Sequence, residues 1–184
     1  VARAARVPRP PPPPPRNSDG TYSYGGLRYY EVVTGNANPN AALPLVVVFH
    51  GRGGTPEPFV RHFSRFGGKA RIVVPYGIEH AGGGFGWFQS DHRTPNSASH
   101  AADESYASDR VAQAVRAIAK RRPTAGKVVA VGFSMGAGLA YALTLQHPET
   151  FGFTCAAVGQ LPARLFLETR SMRARAEIHG FHGS

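Results

Sequence analysis

The sequence predicts an α/β fold in which a mostly parallel central sheet carries helices on both faces. Three observations lead there. Short apolar runs of strand length (Leu45 to His50, Arg71 to Pro75, Lys127 to Phe133) alternate along the chain with segments of helical spacing. Two of these runs, Leu45 to Phe49 and Val128 to Val131, are continuously apolar rather than alternating, as in strands covered on both sides. Glycine-rich turns follow both runs directly, at Gly51 to Gly54 and Gly132 to Gly136, and the carboxyl ends of such strands are where folds of this class carry their sites.

The elements follow in order. Residues 1–20 differ in kind from the rest: Arg3, Arg6, Arg9 and Arg16 surround the prolines Pro10 to Pro15, which favours an extended polyproline helix without a core and predicts a disordered tail. A plain spacer fits this tail better than a proline-recognition ligand. Residues 21–184 form the one domain. Leu27 to Thr34 and Leu45 to His50 supply the early strands, Pro56 to Phe66 a helix, and Arg71 to Pro75 another strand. From His80 to Asp103 the chain is long and polar and predicts a loop covering the substrate. A metal reading of that loop would recruit His80, His92 and His100 with Asp91, but their spacing matches no zinc motif, so neither metal nor cofactor is expected. Ser105 to Arg122 is helical, with Val111, Val115 and Ile118 on its buried face. After the Lys127 to Phe133 strand, Met135 to His147 carries Leu139, Leu143 and Gln146 at helical spacing and stops before Pro148. Phe153 to Val158 and Glu177 to Phe181 read as the last two strands.

Composition narrows the classes. The chain has 184 residues, 42% of them hydrophobic, enough for a sizeable core. No apolar run reaches the roughly 18 residues of a membrane span. Cys155 is the lone cysteine, which excludes an internal disulfide; in its strand it reads as a small hydrophobe. The formal charge is +10, and only Lys69, Lys120 and Lys127 among the basic residues are not arginine. Arg164, Arg170, Arg173 and Arg175 add a basic stretch late in the chain, yet no zinc spacing, recognition helix or aromatic-basic platform accompanies them, so no nucleic-acid partner is expected. No charged-then-apolar targeting segment is visible, and the compartment stays open.

The chemistry concentrates at Gly132-Phe133-Ser134-Met135-Gly136, a G-x-S-x-G string between a strand and a helix. Such a turn is tight enough to strain the serine, and its glycines remove the Cβ atoms that would collide. The helix that follows aims its unpaired amides and dipole at the place where an oxyanion would form. Upstream, His50-Gly51-Arg52-Gly53-Gly54 ends another strand and lets the backbone approach a substrate carbonyl closely. Ser134 is thus the candidate nucleophile, with the amides of Arg52 and Met135 as the oxyanion donors. A phosphate-binding reading of these glycines fails, because neither a Gly-Lys-Ser/Thr ending nor a G-x-G-x-x-G is present.

His50-Gly51-Arg52-Gly53, Gly86-Trp87-Phe88, the turn at Ser134, His147-Pro148-Glu149 and Gly159-Gln160-Leu161-Pro162 stand in the order that resembles the phospholipase/carboxylesterase family of α/β-hydrolases, which includes acyl-protein thioesterases. The resemblance covers about residues 27 to 184. It implies a serine esterase acting on carboxylic esters or thioesters through an acyl-enzyme on Ser134, with Arg52 and Met135 as oxyanion donors and Trp87 near the acyl pocket. Met135 stands where these esterases often have Gln, and Arg52 where an apolar residue is common; both act through the backbone, so the mechanism is kept and the acyl preference is left open. Secreted feruloyl-esterase and polyester-depolymerase relatives share much of the pattern. A hydrolase-like module that has lost its catalysis is the competing class.

The remaining triad members are not evident. In this fold an Asp or Glu and then a His follow the serine, and after Ser134 the chain offers only Glu149, Glu168 and Glu177, with His147, His179 and His182. Glu149 and His147 fall at a helix end; Glu177 and His179 fall on one face of a strand. Phe181-His182-Gly183-Ser184 resembles the family segment that precedes the catalytic aspartate. The resemblance therefore puts both partners beyond Ser184, which makes the domain incomplete at its C-terminal side and predicts little activity from these 184 residues alone.

Overall fold

A computed structural model of the chain describes residues 12–89, 97–168 and 177–182. The central sheet has seven strands: β1 (Tyr22–Tyr24), β2 (Leu27–Val33), β3 (Leu45–Phe49), β4 (Arg71–Pro75), then, after a separate hairpin of β5 (Glu79–Ala81) and β6 (Gly84–Gly86), β7 (Val128–Phe133), β8 (Phe151–Ala157) and β9 (Glu177–Phe181). Their spatial order is β1-β2-β4-β3-β7-β8-β9. The β1/β2 and β2/β4 pairs are antiparallel and every other pair in the sheet is parallel. The helices are α1 (Glu57–Phe63), α2 (Ala98–Arg121), α3 (Met135–Gln146) and α4 (Ala163–Glu168). No described helix is long and apolar enough to cross a membrane.

Strand alternation divides the core. Leu45, Val47 and Phe49 of β3 point to the side of α2 and α3, where they join Val111, Val115, Ile118, Leu139 and Leu143. Val46 and Val48 point the other way and meet Ile72, Val74 and the α1 residues Phe59, Val60 and Phe63. The central strands are apolar on both faces because helices cover both. At the antiparallel side, Glu31 of β2 accepts from Arg71 Nη1 at 2.6 Å and from Arg122 Nε at 2.8 Å, with all three side chains buried. Two of the arginines that count toward the net charge thus belong to the interior.

Several expectations are revised. α2 begins at Ala98 rather than Ser105, because Ser97 caps it by accepting from the His100 amide at 3.1 Å. The long loop is shortened further by the β5-β6 hairpin, whose two-residue Gly82-Gly83 turn uses the positive φ of Gly82. β8 starts at Phe151, two residues earlier than expected, beside a register irregularity at Val128/Val129. β1 and α4 were not expected at all. Residues 12–20 also make packing contacts: the Pro12 carbonyl accepts from Arg121, Pro14 is buried, and Arg16 bridges to Tyr22. Cys155 is half-buried rather than in the core. Asp91, His92, Arg170, Arg173 and Arg175 lie outside the described residues.

Candidate active site

Parallel pairing of β7 with β3 and β8 brings the carboxyl ends of three strands together, and the turn after β7 rises there. Ser134 holds φ 53° and ψ −119°, outside the regions that a side chain normally occupies. Its amide donates to the Ala157 carbonyl at 2.9 Å, and its carbonyl accepts from Ala137 at 2.9 Å, so main chain on both sides holds the strain. The flanking glycines are steric necessities: a Cβ on Gly132 would lie 2.2 Å from the Gly136 carbonyl oxygen, and one on Gly136 would lie 2.3 Å from that of Phe49. Ser134 is half-exposed. Its side chain makes no hydrogen bond that caps α3.

The loop after β3 is set by its histidine and by the hairpin. His50 is fully buried; Gly77 N–H donates to its Nε2 at 3.1 Å, so its proton sits on Nδ1 and reaches the Gly51 carbonyl at 2.8 Å. Burial holds its pKa below the usual imidazole value, which keeps the ring neutral. Gly53 N–H donates to the Phe85 carbonyl at 2.8 Å, and Phe85 N–H returns to Gly54 at 3.0 Å. Trp87, expected near the acyl pocket, does not line the cavity. Its ring is fully buried edge-on to Phe49, and its indole N–H donates to the His50 carbonyl at 2.8 Å. An indole in a core needs such an acceptor, and here it braces the loop from beneath. The neighbouring Phe88 faces the cavity instead.

The cavity has a volume of about 370 Å³, within the range of small-molecule sites. Ser134, Met135 and Arg52 line it together with Phe88, Gly138 and Gln160. Neither the Arg52 nor the Met135 amide donates to a main-chain carbonyl among the described residues. Val158, also on the wall, holds φ 56°, a conformation that β-branched residues rarely adopt. Two titratable side chains from the first turns of α2 complete the lining: His100 and Glu104, with His100 Nε2 3.5 Å from Glu104 Oε1. Burial pushes the Glu104 carboxyl up to about 7 and lowers the His100 imidazole, which the charge of Asp103 partly offsets.

The family model for phospholipase/carboxylesterase matches residues 29–184. The chain belongs to that family. A provisionally named esterase, NocK of Nocardia uniformis subsp. tsuyamanensis, is 32% identical over 122 residues, which is 65% of this chain and 34% of that protein. The match thus spans about a third of that relative's length. Among solved structures, the Bacillus cereus carboxylesterase superposes with a TM-score of 0.65 at 13% identity, over 86% of this chain and 85% of the other. The Zea mays acyl-protein thioesterase 2 gives 0.64 at 17%, over 85% and 75%. At these identities the structures speak for the fold, which is that of the α/β-hydrolases.

Within this phospholipase/carboxylesterase fold His147, Glu149, Glu177 and His179 pair with groups other than Ser134. His147 caps the far end of α3, about 20 Å along the axis from Ser134, and its Nε2 lies 3.1 Å from Asp109. Glu149 pairs with Arg116 at 3.6 Å. Glu177 and His179 meet each other at 2.6 Å on one face of β9, with His179 stacked on Phe153. Among the described residues no histidine, cysteine or carboxylate cluster could hold a metal; His80 packs on Phe85 and His100 is buried on α2. Sequence reasoning missed Glu104 as a cavity residue. The signal is its i, i+4 spacing from His100, which a helix expected to begin at Ser105 leaves out.

Proposed function

We propose that this member of the phospholipase/carboxylesterase family hydrolyses carboxylic esters or thioesters through an acyl-enzyme on Ser134. The Ser134 oxygen attacks the carbonyl carbon, the bond to the alcohol or thiol breaks, and water later releases the acid. The amides of Arg52 and Met135 stabilise the tetrahedral oxyanion; each donor of this kind is worth about 3 to 4 kcal/mol of transition-state stabilisation. The observation that carries the reading is a serine at φ 53° heading α3 and sharing one cavity with both donors. His50 and Trp87 act as positioning residues that fix the Arg52 loop.

A second reading, a non-catalytic hydrolase-like module, is favoured by the pairing of His147, Glu149, Glu177 and His179 with one another and with Asp109 and Arg116. p-Nitrophenyl acetate hydrolysis by the full-length natural protein and by its Ser134→Ala variant separates the two. The esterase reading expects turnover that the substitution lowers by several powers of ten; turnover equal in both proteins, or none in either, favours the module.

A further inference from the structure

Arg52 serves the proposed reaction through its amide, which leaves its side chain unaccounted for. The residue is exposed, lines the cavity with Ser134, and has no side-chain hydrogen bond or ion pair among the described residues. Other arginines of this chain do find carboxylates: Arg28 pairs with Asp19, Arg116 with Glu149, and Arg71 and Arg122 share Glu31. The carboxylates of the elements around the Arg52 loop are occupied elsewhere. Glu57 of α1 accepts from Tyr30 and Tyr76, and Glu79 of β5 accepts from Gln89 at 2.8 Å. Glu104, in the cavity lining itself, is buried and faces His100 at 3.5 Å. The main chain that carries Arg52 is fixed on its far side, where Gly53 N–H donates to the Phe85 carbonyl at 2.8 Å. The guanidinium is therefore tethered within one side-chain length of the carbonyl that Ser134 would attack.

We infer that the Arg52 guanidinium recognises a carboxylate on the substrate, so that the preferred substrates are acidic esters bearing this group a few atoms from the ester bond. The inference rests on the reading of the cavity as the substrate site of an ester hydrolase. A guanidinium offers a planar fork that meets a carboxylate with two parallel N–H···O bonds, and α3 turns the positive end of its dipole toward the same place. Around Arg52 the lining is apolar at Phe88, Met135, Gly138 and Val158, and burial lowers the His100 imidazole. One permanent positive charge balances one carboxylate, whereas a phosphate brings nearly two negative charges. The carboxylate belongs at the exposed rim, because the buried side of the cavity holds the Glu104 carboxyl, which repels it when ionised. Discrimination then comes from the ion pair alone, since a neutral ester of the same shape leaves Arg52 in water.

Calorimetric titration of the full-length natural protein carrying Ser134→Ala tests this through binding rather than turnover. Monoethyl succinate is compared with ethyl succinamate, its neutral amide counterpart, and acetylglycolate with 2-acetoxyacetamide. In at least one pair the carboxylate is expected to bind about three- to tenfold tighter at low ionic strength. A preference in the succinate pair alone puts the recognised group on the acyl side of the ester; one in the acetylglycolate pair alone puts it on the alcohol side. Adding Arg52→Gln should bring each pair within about twofold. Arg61→Gln, which removes the same charge from an exposed position on α1, should keep the preference. Equal affinity within both pairs, no measurable binding of any of the four, a preference that survives Arg52→Gln, or one that Arg61→Gln abolishes equally would each overturn the proposal. The paired comparison is made with Arg52 in place and so does not depend on how a variant folds. If the preference is present but p-nitrophenyl acetate is not hydrolysed, carboxylate recognition stands as a binding property and the esterase reading fails. Hydrolysis without the preference has the opposite meaning.

Discussion

Ser134 gives up backbone comfort for exposure. A residue held at φ 53° and ψ −119° costs of order 1 to 3 kcal/mol, which glycine would largely relieve. Ser134→Gly is therefore expected to be more stable than Ser134→Ala by about 1 kcal/mol, after the greater unfolded-state freedom of glycine is subtracted; urea unfolding of the two variants measures it. Equal midpoints would mean that the turn is not strained. Gly136 is the opposite case, since a methyl there would press on the Phe49 and His50 carbonyl oxygens. Gly136→Ala should cost about 3 kcal/mol or displace the Arg52 loop. Both glycines of this turn were legible in the sequence, because the requirement behind G-x-S-x-G is steric and local. Glu104 was not: a carboxylate on an amphipathic helix ordinarily reads as solvated, and only the packing of α2 on Gly138 turns it inward.

At the level of elements, the oxyanion loop depends on a hairpin that sequence periodicity could not reveal. β5 and β6 have three residues each, too short for any alternation, and what identifies them is pairing with Gly53 and Gly54 through Phe85. Trp87, just past β6, then fastens that assembly to the His50 carbonyl. Trp87→Phe keeps the ring but leaves this buried carbonyl without its donor, for an expected loss of about 1 to 3 kcal/mol by thermal unfolding. A loss confined to surface-level values, under about 0.5 kcal/mol, would show that the loop is held by other means. The long apolar strands were readable for the reason the hairpin was not: β3 and β4 are covered on both faces, β7 fully on one and partly on the other, and all three need continuous apolar sequence. The early start of α2 escaped because its first turn is held by the Ser97 cap rather than by an apolar stripe.

For the molecule as a whole, two buried charge systems shape stability. Glu31 joins β2 to Arg71 of β4 and to Arg122 at the end of α2. Glu31→Ala would leave two guanidinium groups buried without their carboxylate and should cost about 3 to 5 kcal/mol. Glu104 makes stability depend on pH. Its carboxyl is raised to about 7 in the fold against an ordinary value of 4.5, so the folded state holds a proton that the unfolded chain has lost. That contribution is present below about pH 4.5 and fades as pH rises through about 7, by a total of about 3 kcal/mol. His100, lowered by burial, works in the other direction: its contribution is complete above the usual imidazole range and is lost as pH falls through its depressed value. Glu104→Gln removes the first slope, so the variant should be more stable than its parent at about pH 8 and gain less on acidification to about pH 5; denaturant midpoints at the two pH values decide it. The architecture was legible at this scale, whereas the ion pairs that tie its edge were not, since a sequence does not say which arginines turn inward.

The central claim is that Ser134 is the nucleophile, and covalent mapping tests it most directly. The full-length natural protein is treated with a fluorophosphonate ester and digested, and the modified peptide is sequenced by mass spectrometry. The account predicts a single phosphonyl adduct on Ser134 that Ser134→Ala abolishes. An adduct on another residue, or labelling that persists in the variant, would contradict it.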